Sequence, residues 1–91
     1  MGHSECWDDM GFILASKYRS EVLKILLKHT STPKGLAERT GIKLSHVSRT
    51  LRQLEHRGLI KCYTPDRLKG KIFGLTEKGF IIAKEIQKDM G

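Results

Sequence analysis

Residues 33–60 read PKGLAERTGIKLSHVSRTLRQLEHRGLI, and this stretch decides the fold. Two helices are written in it, with three residues between them. Thr32, just ahead, suits an N-cap, and Pro33 suits the first helical position, where its missing N–H costs nothing. The first helix, Pro33 to Thr40, turns Leu36 and Ala37 inward. It stops at Gly41, a residue able to take the left-handed conformation that closes a helix. Ile42 and Lys43 make a tight connection. The second helix runs from about Leu44 to Arg57 with Leu44, Val47, Leu51 and Leu54 at helical spacing as its core face, and Gly58 ends it in the same way.

Toward the N-terminus, Val22, Leu23, Ile25, Leu26 and Leu27 form a wide apolar face with Lys17, Arg19, Lys24 and Lys28 outside it. This spacing predicts a buried amphipathic helix ending near His29. Before it, Trp7, Met10 and Leu14 stand at three-four spacing with Phe12 and Ile13 beside them. They predict a short helix that Gly11 weakens. Beyond Gly58 the period changes to alternation. Residues 59–63 and 71–75 read as two short strands. Between them, residues 64–70 are rich in turn formers, with Gly70 placed to take a positive φ. Thr76 can cap a last helix through about Met90, whose apolar residues are Phe80, Ile81, Ile82, Ala83, Ile86 and Met90. The expected organisation is an N-terminal extension over 1–15, a domain over 16–75 and a C-terminal helix over 76–91.

Ninety-one residues make one domain, near the lower edge of comfortable single-core folding. A dimer interface would supplement so small a core. The apolar runs are far too short to cross a bilayer, and no charged-then-apolar leader opens the chain, so a cytoplasmic protein is expected. Aromatic residues, at 7%, are too sparse for the stacking platforms used on single strands. Cys6 and Cys62 stand alone, without metal-ligand spacing, so reduced thiols are expected and no metal or other cofactor. The net charge of +7 points to an anionic partner. Its distribution says more. Residues 41–74 hold eight bases against Glu55 and Asp66, whereas residues 1–15 hold three acids and no Lys or Arg. A binding face explains such clustering better than a generally basic surface.

Three segments in order carry a resemblance. They are Leu14-Ala15-Ser16-Lys17-Tyr18-Arg19 leading into Val22-Leu23-Lys24-Ile25-Leu26; Gly35 to Ile42 followed by Val47 to Glu55 and Gly58-Leu59-Ile60; and Leu75-Thr76-Glu77-Lys78-Gly79. Together they resemble the winged helix-turn-helix regulators of bacteria and archaea, of the ArsR and MarR types, over about Ile13 to Gly79. The resemblance implies an α+β, mainly α fold: a three-helix core, a two-stranded β-wing, an additional N-terminal segment and a C-terminal helix. It also implies a transcriptional regulator that binds duplex DNA. Two departures stand out. Lys43 sits where such proteins often cap the recognition helix with Ser or Thr. The vicinal cysteines of many ArsR-type metal sensors are absent, so nothing supports metal sensing.

A helical wheel locates the reading surface independently. With Leu44, Val47, Leu51 and Leu54 inward, the opposite side of the helix holds Ser45, His46, Arg49, Arg52, Gln53 and His56. None is a carboxylate; Glu55 falls near the core edge. A major groove admits such a helix, and its N-terminal half meets the base edges. Ser45, His46 and Arg49 are therefore the base-edge candidates. Arg49 can engage guanine in bidentate fashion or clamp a phosphate, and the sequence leaves both open. Lys43, Arg52, Gln53 and His56, with Arg67, Lys69 and Lys71 of the hairpin, are the DNA-backbone candidates. Lys17, Arg19 and Lys34 are further phosphate candidates. The blander alternative is a solvated helix face and a hairpin kept soluble by its bases.

Trp7, Met10 and Phe12 with Phe80, Ile82, Ile86 and Met90 offer more apolar surface than one small core needs, so a two-fold homodimer is expected through them. The alternative is that both segments complete the monomer's own core. A winged-helix module that binds protein is the leading rival function, since fold alone does not fix function. It would show apolar or acidic residues where Ser45, His46 and Arg49 stand. Structured RNA is a weaker rival. An enzyme is not expected. Asp8-Asp9, the single carboxylate pair, reads as solvated or helix-capping, and His3, His29, His46 and His56 lack any nucleophile-base arrangement. No effector ligand can be named, and Cys62 reads as a half-buried thiol.

Overall fold

The protein is described by a computed structural model over residues 2–90, with side chains described from 8 to 88. Along the chain stand α1 (Gly2–Leu14), α2 (Lys17–Lys28), α3 (Pro33–Thr40), α4 (Leu44–His56), β1 (Ile60–Cys62), β2 (Phe73–Leu75) and α5 (Glu77–Met90). The architecture is a winged helix-turn-helix, mainly α, with one antiparallel hairpin.

Local chemistry sets the boundaries. Ser16 caps α2 by accepting the Arg19 amide at 3.4 Å, and Thr32 caps α3 by accepting the Gly35 amide at 3.0 Å. Pro33 occupies the first turn of α3, and Gly41 closes that helix at φ 76°, its amide bonded to the Ala37 carbonyl. Lys43 precedes α4 without any side-chain cap. In the hairpin, Ile60 pairs with Leu75, Lys61 with Gly74 and Cys62 with Phe73. Both strands are shorter than the alternation predicts. One cause is that the Leu59 amide turns back to the Leu54 carbonyl, which closes α4. A pairing not foreseen from sequence joins Ser31 to Phe73 through bonds of 3.0 and 2.8 Å.

One core unites the elements. Val22, Leu23 and Leu26 of α2 meet Leu36, Val47, Leu51, Leu54, Leu59 and Ile60, while Ile13 comes in from α1 and Ile82, Ala83 and Ile86 from α5. Four expectations are corrected here. Leu44 does not face the core: it is 50% exposed, and the buried Ile42 fills that end instead. In α1 the buried face is set by Ile13, not Leu14, which is 54% exposed. Ile82 and Ile86 belong to the monomer's interior, leaving Phe80 and its neighbour Ile81 as the large apolar side chains that α5 exposes among the described residues. Met10 and Phe12 are half-buried against the same core. The side chains of Trp7 and Met90 lie outside the described residues.

The fourth correction concerns Asp9, which is 4% exposed rather than solvated. Its carboxylate accepts from Arg57 Nη1 at 3.1 Å and from Lys78 Nζ at 3.0 Å, joining α1 to the end of α4 and the start of α5. Beside it, the Phe12 ring lies between the Arg19 and Arg57 guanidinium groups, 3.8 and 4.0 Å from its centroid. No helix among the described residues is long and apolar enough to cross a membrane.

Candidate nucleic-acid interface

The buried face of α4 is Val47, Thr50, Leu51 and Leu54, which directs the remaining side chains outward. Of the base-edge candidates, Ser45 and Arg49 are exposed and His46 is half-buried. His46 is held by Tyr18 of α2, whose ring centroid lies 5.3 Å away at a tilt of 34°. Shallow hollows open around this pair, one lined by Lys17 and Lys43, the other by Arg19 and Arg49. Tyr18 carries no spacing signal in the sequence; only the packing of α2 on α4 brings it to this surface.

Among the backbone candidates, Lys43, Arg52 and His56 are exposed. Gln53 is already engaged: its Oε1 accepts from Arg19 Nε at 3.2 Å, while Arg19 Nη1 donates to the Phe12 carbonyl at 2.8 Å. Arg19 thus acts as a clasp between α1 and α4. Glu55 is exposed and lines a hollow with Pro33, Ser48, Leu51, Arg52 and Phe73, on the side of α4 toward α3 and the hairpin, so this acid borders Arg52 at the edge of the candidate face.

The hairpin follows α4 after only Arg57, Gly58 and Leu59. Its loop is ordered by its own bonds. The Tyr63 amide donates to the Ile72 carbonyl at 2.8 Å, the Ile72 amide to Thr64 Oγ1 at 2.9 Å, and the Arg67 amide to the Thr64 carbonyl at 3.1 Å. Gly70 turns at φ 65°. Lys69 and Lys71 are exposed; Arg67, also exposed, reaches back to the Gly70 carbonyl at 3.4 Å. Cys62 is a half-buried free thiol, and no group of three or more metal-ligating side chains occurs among the described residues.

Residues 7–90 match the family described as the HVO_A0261 N-terminal domain. No curated protein matches the chain. Solved structures do. A ZitR mutant of Lactococcus lactis in complex with DNA superposes with a TM-score of 0.71 at 27% identity, covering 80% of this chain and 51% of that one. The S. aureus MepR–DNA complex gives 0.75 at 21% identity, over 98% and 76%. The homodimeric winged helix-turn-helix DNA-binding domain of Mb0332 from Mycobacterium bovis, a possible ArsR-family regulator, gives 0.77 at 19% identity, over 98% and 82%. The chain spans 51% of the length of one ZitR mutant chain it matches, and 73% of that of the same mutant in its apo form.

Proposed function

Since the chain belongs to the HVO_A0261 N-terminal domain family, we propose that it is a cytoplasmic transcriptional regulator that binds duplex DNA as a homodimer. In this reading α4 enters the major groove. Ser45, His46 and Arg49 meet the base edges, Lys43, Arg52 and His56 meet phosphates beside them, and Lys69 and Lys71 of the hairpin hold the backbone or minor groove. Gln53, tied to Arg19, orients rather than reads. The observation that carries the proposal is the outward face of α4, where Ser45, Arg49, Arg52 and His56 are exposed without a carboxylate among them. The fold is that of ZitR and MepR structures solved with DNA. The Tyr18–His46 contact fixes one candidate reading side chain before DNA arrives, which lowers the entropy lost on binding.

The test is fluorescence anisotropy on mixed-sequence duplex DNA across a salt series. Arg49→Ala should weaken binding at every salt concentration. Lys69→Ala/Lys71→Ala should flatten the dependence of log K on log salt by about one unit for each phosphate no longer held. Absence of binding at low salt by a folded protein would sink the DNA reading and move a protein partner to first place.

A further inference from the structure

We propose that Leu68 is an apolar wedge that enters the minor groove of the bound duplex and opens a base step there. The inference rests on the DNA-binding reading above and assigns a role to a residue outside the expected DNA-contacting set. Leu68 is 97% exposed, whereas the other exposed large apolar side chains among the described residues, from Tyr18 at 40% to Leu14 at 54%, keep about half their surface covered. Single exposed apolar residues are common on protein surfaces; the position of this one sets it apart. It stands in the ordered loop that joins β1 and β2. The Arg67 amide is bonded to the Thr64 carbonyl on one side of it, and the Arg67 side chain reaches across to the Gly70 carbonyl on the other. The side chain is therefore displayed by a braced turn, with almost none of its surface covered by the rest of the chain.

Its surroundings name the occupant. In sequence Arg67, Lys69 and Lys71 flank it, against Asp66 as the one acid of the loop, so the tip offers an apolar group among exposed cations. A protein groove lined with apolar residues would gain little from those cations. A DNA minor groove, about 6 Å wide and strongly negative, suits both features. The cations meet the phosphates of its walls, and a leucine can slip between stacked bases, kinking the duplex toward the major groove by about 20–90°. Pyrimidine–purine steps unstack most cheaply, so the wedge would favour them at a position no hydrogen bond reads.

The experiment uses a duplex of about 30 base pairs enriched by the wild-type protein from a random library and labelled at both ends for energy transfer. Wild type is expected to raise the transfer by drawing the ends together, and to brighten a 2-aminopurine placed at the opened step. Leu68→Ser, whose parent side chain has almost none of its surface covered by the fold, is expected to bind with the same salt slope but to leave the duplex straight and the probe dark. Equal bending by both proteins, or bending by neither, overturns the wedge and leaves DNA binding standing. A reduced salt slope in Leu68→Ser also overturns it, because Leu68 would then be serving the cationic contacts. Failure of wild type to enrich any duplex overturns the proposed function itself.

Discussion

A Cβ on Gly79 would collide with the carbonyl of Leu59. The reason lies three residues earlier. Thr76 accepts the Gly79 amide at 3.1 Å, donates its hydroxyl to the Gly58 carbonyl at 2.7 Å and bonds Leu59 through its own amide at 3.1 Å. The first turn of α5 is thereby pressed onto the start of the hairpin, leaving no room for a side chain. Gly79→Ala should cost about 1–3 kcal/mol, the usual range for overpacking, with urea unfolding as the measure; an unchanged midpoint would mean that the two backbones separate without penalty. Asp9 poses a different problem, since it is a buried acid whose two cations remain 38% and 46% exposed. Those cations return to water easily, so Asp9→Asn should cost only about 1–2 kcal/mol. Lys78→Ala should cost less still, because Arg57 keeps the carboxylate paired.

At the scale of elements, what the sequence disclosed depended on whether an element's partners were near it in the chain. The α3–α4 pair was readable in all but its Leu44 face, since Thr32, Pro33, Gly41 and the Val47-Leu51-Leu54 spacing act within a few residues of themselves. Leu44 misled because a helical wheel treats every position as mid-helix, while the first residue of α4 projects past the core that Ile42 already closes. Replacing each by alanine separates the cases. Leu51→Ala should lose about 2–5 kcal/mol, and Leu44→Ala less than about 1 kcal/mol. The inward face of α1 was hidden for another reason. Asp9 counts as a surface residue until Arg57 and Lys78, far along the chain, are brought to it. The Ser31–Phe73 bridge escaped because a single paired residue has no period to detect. In the candidate interface, charge and periodicity nominate Arg49, Lys69 and Lys71, all of which are exposed, but the Tyr18–His46 contact and the Arg19–Gln53 clasp are products of tertiary packing.

For the whole molecule, the proposed function requires a surface through which two copies of the chain would pair their α4 helices. With Ile82 and Ile86 consumed by the monomer's core, the outward side of α5 still shows Phe80 and Ile81, 49% and 51% exposed. A two-fold axis beside them would place each residue near its own copy, so one patch would serve as both halves of the interface. That geometry sets any charge introduced there against its own copy. In Phe80→Glu/Ile81→Glu, carboxylates would be brought toward one another across the axis and repel. Each monomer should still fold, because half of both parent side chains already lies in water. Light scattering at micromolar concentration should give a dimer for the wild type and a monomer for the double variant, with the same circular dichroism. On DNA, the two heads of a dimer would meet half-sites about 34–36 Å apart. Separated heads would lose that joint grip, so the variant should bind a paired site far more weakly, with about half the salt slope, while binding a lone half-site as wild type does. A wild-type mass equal to one chain would overturn the homodimer, whereas a double variant that stays dimeric would place the two-fold contact elsewhere than on Phe80 and Ile81.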